Sequence, residues 1–225
     1  MKRLIITAIL FAISIQVLSA QTIIFDTTAT VKQDRPEPEG KKYRHLLGVK
    51  AAYNISGMDM MNAQDIKSIT TYENFYLSYT YYHPMWGDID NFGIQISVSK
   101  LKQGYKSDEG TVTYDAFSVP FVSQFHIDFW KMRLLVNIGG FGGYRSNRVS
   151  FDGTKGFSKT DRRADFGIIG GGGFAFVFKP FEIHAEVNYQ YSLSDLYDAN
   201  RDDTTGPLFT YPHQLLISLG LHFHL

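Results

Sequence analysis

Seven residues carry groups able to hold a metal, move a proton or share a buried charge: His126, Arg133, Glu182, His184, Glu186, His222 and His224. Glu182, His184 and Glu186 alternate with apolar neighbours, and His222 and His224 do the same near the end of the sequence. Carboxylates and imidazoles are zinc ligands, and a Glu-His pair is suited to general acid-base chemistry. On the inner face of a narrow barrel, however, the same groups would simply fill the space, each buried charge needing a partner or a hydrogen bond. The expected arrangement is therefore a polar network in a lumen, with no metal, no cofactor and no catalytic residue assigned.

Other candidates for chemistry are weaker. His213 and the acidic residues Asp195, Asp198, Asp202 and Asp203 cluster toward one late connection, but no Ser-His pair at a defined spacing accompanies them, so the chain is not expected to be an enzyme. Gly139, Gly140, Gly142, Gly143 and Gly170 to Gly173 lack the Lys-Ser/Thr of a phosphate-cradling loop and open no helix. Glycines at such positions suit a strongly curved wall or a bulge. The absence of Cys excludes thiol catalysis, Cys-ligated metal and disulfide staples. With 22 basic against 22 acidic residues, nothing favours a nucleic-acid partner.

The elements that must position these groups are strands. From Phe181 to Leu193 apolar and polar residues alternate without exception, which gives a strand one apolar and one polar face. The segment from Gln214 to Leu225 repeats the pattern, broken only by Leu216. Reading backward, the apolar sets Phe166 to Phe178, Met132 to Ile138, Phe117 to Ile127, Phe92 to Val98, Phe75 to Tyr81 and Leu47 to Tyr53 define six more strands. The expected fold is all-β, an eight-stranded antiparallel up-and-down transmembrane β-barrel. Connections are expected to alternate, short at Lys179-Pro180, Asp128 to Trp130 and His83 to Asp90, long at Ile55 to Asn74, Gly104 to Val112, Ser146 to Arg163 and Ser194 to Tyr211. That alternation is the habit of outer-membrane barrels. A soluble barrel of the lipocalin kind would instead turn its apolar face inward. Trp86, Tyr81, Tyr82, Trp130, Tyr189, Tyr191, Phe209 and Tyr211 are expected in interfacial girdles.

The start of the chain supplies the compartment. Lys2 and Arg3, the apolar run Leu4 to Val17 and the small residues before Gln21 predict a signal peptide over residues 1–20, the apolar run being too short for the roughly 20 residues of a spanning helix. Residues 21–43, ending in a Pro- and Lys-rich stretch, read as a periplasmic tether, and residues 44–225 as the barrel. An even strand count predicts an outer-membrane protein with both termini periplasmic.

The segments YDAFSVPFVSQF, LLVNIGGFGGY, RADFGIIGGGGFAF, IHAEVNYQYSLSDLYD and QLLISLGLHFHL resemble the outer-membrane β-barrel family of Bacteroidetes, described as porin-like or PorT-type. A strand with a central Pro120, then a glycine-bearing strand, then Asp165-Phe166-Gly167 before a second glycine-rich strand carry the resemblance, which spans Leu46 to Leu225. It implies a small integral barrel presenting loops for binding, envelope structure or assembly of a secretion machinery. A narrow pore for small solutes and an outer-membrane enzyme acting on lipid or peptide are the alternatives. The implied partners are outer-membrane lipid and lipopolysaccharide, the barrel-insertion machinery, and secretion-system or envelope proteins. The usual terminal aromatic is replaced by Leu225, with Phe223 two positions earlier on the same face.

Overall fold

The computed structural model of the protein describes residues 45–61, 65–83, 91–158, 161–197 and 209–225. Among them the chain forms eight strands: β1 (His45–Met60), β2 (Lys67–His83), β3 (Phe92–Ser107), β4 (Gly110–Phe129), β5 (Met132–Val149), β6 (Ala164–Phe178), β7 (Phe181–Ser192) and β8 (Thr210–His224). Each pairs antiparallel with its successor and β1 pairs with β8, which closes an up-and-down barrel. The expected signal peptide and tether lie outside the described residues, as do Trp86, Asp198, Asp202 and Asp203.

Period-two patterning decides which way each residue points. On β7, Phe181, Ile183, Ala185 and Val187 face outward while Glu182, His184 and Glu186 are buried. On β8, Ile217, Leu219, Leu221 and Phe223 face outward, and Ser218, His222 and His224 are buried. Leu219 is 63% exposed and Glu182 0%. A continuous outward apolar wall of this kind far exceeds the few hundred Å² tolerated on a soluble monomer. The apolar-inward arrangement of a soluble carrier is thereby overturned.

One end of the barrel holds the two-residue hairpins Trp130-Lys131 and Lys179-Pro180 and the ends of β1 and β8, where the Leu225 amide donates to the His45 carbonyl at 2.9 Å. We call it the turn end, and the opposite one the loop end. Two expected long connections prove to be mostly strand. The stretch from Gly104 to Val112 contains only the hairpin residues Asp108 and Glu109, and β1 and β2 leave just residues 61–66 between them. The cause is a change of surroundings. Above the apolar wall the outward face carries Lys100, Lys102, Glu73 and Asp115, with Lys102 Nζ donating to Glu73 Oε2 at 3.1 Å, so the polarity pattern that marks a strand in lipid is lost although pairing continues. β4 runs to 20 residues, about twice what a hydrocarbon crossing requires.

The glycine runs sit in the wall between β5 and β6, where Ile138 faces Gly170 and Gly140 faces Ile168. Another aromatic assignment needs correction: Tyr82 is not in a girdle. It points into the lumen, 3% exposed, because Tyr81 and not Tyr82 shares the parity of Leu77 and Tyr79. Trp130, 93% exposed at its hairpin, projects outward at the turn end.

Candidate functional site

The polar residues singled out above lie in the lower lumen, and two antiparallel registers bring them together. Glu182 pairs in register with His222, and His184 with Gly220; across β4 and β5, His126 pairs with Leu135 and Asp128 with Arg133. Arg133 lies between two carboxylates. Its Nη1 donates to Glu182 Oε1 at 3.1 Å, and its Nε and Nη2 make a two-pronged contact with Asp128 at 2.7 and 3.1 Å. His184 Nε2 lies 2.9 Å from Glu182 Oε2, and His224 Nε2 lies 2.8 Å from Glu182 Oε1. The rings of His184 and His222 pack with centroids 3.9 Å apart, and His222 Nε2 is 3.1 Å from Ser78 Oγ. Gly48 is required beside them, since a Cβ there would collide with the His222 ring. His126 packs its ring against the edge of Tyr82, over whose face the Arg133 guanidinium lies at 4.4 Å.

One layer further in, a residue that the sequence did not flag completes the charges. Lys50 Nζ donates to Glu186 Oε1 at 2.6 Å and to Gln95 Oε1 at 3.1 Å, while Asn137 donates to Glu186 Oε2 at 2.8 Å. Gln124 Nε2 then donates to Asn137 Oδ1, and the Tyr82 hydroxyl to Gln124 Oε1. Toward the loop end the polar layer gives way to Ala52, Leu101 and Leu216 packed with Tyr76, which accounts for the one apolar residue out of pattern in β8. A cavity of about 30 Å³ beside Lys50, Gln95 and Glu186 has room for a single water.

This arrangement restricts the available chemistry. Ser78 and His222 form a Ser-His contact, but both are buried within the lumen. Among the described residues no three His, Asp or Glu side chains stand in a metal-ligating arrangement. What the geometry does well is neutralise charge. Two carboxylates, one Lys and one Arg fill the bore, and removing Lys50 would leave Glu186 buried without its cation.

The loop end is organised around two further arginines. Arg145, fully buried, donates to Asp165 Oδ1 at 2.7 Å, to the Ser194 carbonyl and hydroxyl oxygens, and to the backbone carbonyls of Arg162 and Asp195. It ties β5 to the start of β6 and to the chain leaving β7. Next to it, Asn147 adopts a left-handed backbone, φ 51°, at a bulge in the β4–β5 register, and the extra residue turns Arg148 toward the mouth. There Arg148 contacts Asp161 Oδ2 at 2.7 Å and the Tyr197 hydroxyl at 2.9 Å. Beneath lies a small apolar core of Met58, Tyr105, Val112, Tyr114 and Leu196. Leu196 and Tyr197 thus fold back into the mouth, held by Thr210, whose carbonyl accepts the Leu196 amide at 3.0 Å. Neither arginine was legible as a site residue. Asp165 stood in a recognisable motif, but nothing in spacing linked it to Arg145. His213 lies on the outer face 3.7 Å from Asp59, and Asp195 holds the Thr210 amide, so these loop residues do not converge with the lumen histidines.

The closed eight-stranded wall, apolar outside and filled with polar groups inside, defines an outer-membrane-type β-barrel with an occluded bore. Solved structures that share that fold include the following two. Neisserial surface protein A is similar over 80% of this chain and 97% of its own, at 11% identity and a TM-score of 0.54. Outer membrane protein AlkL, solved in lipid bilayers, is similar over 87% of this chain and 98% of its own, at 13% identity and a TM-score of 0.50. At such identities the likeness is one of fold. No family model and no curated protein matches the chain.

Proposed function

We propose that the protein is a small integral outer-membrane barrel whose bore is structural and whose work is done at the loop end, as a scaffold for binding or for assembling envelope or secretion machinery in the PorT manner. The observation that carries this reading is the filled lumen: from Arg133 and Glu182 through Lys50 and Glu186 to Leu196, packed side chains occupy the space a solute would need. In this reading the loop end faces outside the cell and both termini face the periplasm. The outward Phe181-Phe223 pair, with centroids 5.4 Å apart, is the feature of the closing strand offered to the insertion machinery. No catalytic role is proposed, because the Ser78-His222 contact is buried in the lumen. The test is conductance in planar bilayers. The folded chain should give no discrete current steps, whereas steady unitary conductance would favour a pore. For the secretion role, deleting the gene should reduce secreted protein in the medium and the full chain should restore it; secretion unchanged by the deletion would remove the PorT-like part of the reading.

A further inference from the structure

A groove of about 640 Å³ opens at the loop end between the upper part of β5 and the connection that follows it. The connection first runs back along β5, with the Gly156 amide donating to the Arg148 carbonyl at 2.8 Å, and rejoins the strand where the Arg145 amide donates to the Arg163 carbonyl at 2.7 Å. Just before the second of those points the Arg162 amide donates to the Leu196 carbonyl at 2.8 Å and pins the chain to the last connection. The groove is thus a built feature, with attachments at both ends and at its back. Its volume lies within the range of small-molecule sites, roughly 300–1,000 Å³.

The lining is basic. It contains Arg145, Arg148, Lys155 and Arg163 and no carboxylate among the described lining residues. Asp165 neutralises the buried Arg145 and Asp161 the half-buried Arg148. Lys155 and Arg163, both exposed, have no carboxylate partner among the described residues. Arg163 is nevertheless held in place: it donates to the Tyr144 hydroxyl at 3.0 Å and lies over the Phe157 ring at 5.4 Å. A guanidinium fork beside an ammonium puts two positive charges without a carboxylate partner in one groove, which suits a dianion such as a phosphate better than a singly charged carboxylate.

The position of the groove fixes its surroundings. Tyr144 faces outward, 49% exposed, and its register partner Phe117 is the last outward apolar residue of β4 before Asp115. The groove therefore opens at the upper edge of the apolar wall, where acyl chains end and headgroups begin. We infer that the groove between β5 and its following connection binds a phosphate monoester carried on a membrane lipid headgroup, with Lys155 and Arg163 as the contacting cations and Tyr144 and Phe157 against the adjoining apolar part. This rests on the reading of the chain as a membrane barrel whose loop end does the binding, and names a ligand class for it.

The test is lipid retention by the folded full-length barrel in detergent, read by native mass spectrometry with lipid A, a disaccharide lipid bearing two phosphates, and with the same lipid dephosphorylated. The wild-type barrel should retain the phosphorylated lipid and release the other. Replacing both contacting cations, Lys155→Glu with Arg163→Glu, should weaken retention by about tenfold or more, since hydrogen bonds to charged groups are lost. Lys67→Glu with Lys106→Glu, on the far side of the rim, should leave it unchanged. Equal retention of the dephosphorylated lipid by wild type would overturn the proposal whether or not any variant folds. So would equal loss in the far-rim variant, or full displacement of the lipid by an equal concentration of inorganic phosphate, which would make the site one for the free anion. The measurement uses purified barrel and needs neither conductance nor secretion, so its failure and that of the functional reading are distinguishable.

Discussion

The lower and upper halves of this barrel are built from the same strands with opposite polarity. Below, β1 turns Val49 to the outside and Lys50 to the inside; above, the same strand buries Met58 and exposes Asp59. The lower half has lipid outside and must satisfy its polar groups within, so charges fill its bore. The upper half has water outside, and it buries Met58, Tyr105, Val112 and Tyr114 as an ordinary soluble core does. A side chain's value is therefore set by the medium on the other side of the wall and not by secondary structure, which is continuous through both.

Identical substitutions in the two halves should break this symmetry most sharply when they remove a cation. Lys50→Met leaves Glu186 buried without its ammonium, and it should cost about 3–5 kcal/mol in urea unfolding from lipid vesicles. Replacing both members, Lys50→Met with Glu186→Gln, should recover more than half of that. Lys102→Met removes a cation from an exposed pair with Glu73 and should change stability by less than about 1 kcal/mol. Equal losses at the two sites would mean that the lower lumen is wet.

The next largest contrast concerns the outer face. Val187→Arg places a charge against hydrocarbon and should cost about 2–4 kcal/mol. Asn188→Arg, on the lumen side within reach of Glu186, should cost less. On the upper half, Thr111→Arg on the exposed outer face should stay within about 0.5 kcal/mol. A heat-modifiable gel shift scores folding of all three. If Asn188→Arg were the most damaging, the assignment of faces would fail.

The same contrast explains what the sequence made legible. Period two was visible wherever lipid faced the wall, so the strand count and the outward sets from Leu47 to Leu225 followed directly. It faded above Lys100 and Asp115, where the outer face is polar and the inner one apolar, and those strand segments read as loops. Asn147 shifts parity at its bulge and so hides the inward turn of Arg148. Lys50 escaped notice because it stands alone among Val49, Ala51 and Ala52, with its partner Glu186 136 residues away in sequence. Arg145 was hidden for a similar reason, since its partners come from β6 and from the chain after β7.

A smaller effect is expected where the upper core closes the mouth. Leu196→Ala empties space among Met58, Tyr105 and Val112. It should cost about 2 kcal/mol, the low end for such truncations, because the connection can relax into the gap. Proteolytic nicking of the last connection should rise while the lower barrel stays protected. A collapse of the whole barrel would mean that the two halves unfold as one unit.

The smallest effect on stability carries the orientation. Cysteine at Asp108 or Asp152 lies on the exposed surface of the loop end, and at Lys179 on the hairpin of the turn end, so none of the three should shift stability by more than about 0.5 kcal/mol. At Asp152 the Thr154 hydroxyl and amide hold the carboxyl below its usual value, and its loss should loosen only that turn. On intact cells an impermeant thiol reagent should modify Asp108→Cys and Asp152→Cys at once, and Lys179→Cys only after the envelope is permeabilised. The natural chain has no Cys, so every label is attributable to the engineered position. The reverse pattern would place the soluble-like upper half and its basic groove in the periplasm, where the headgroups within reach belong to the inner leaflet. The polarity inversion between the halves would stand, but its ligand would have to be sought on that side.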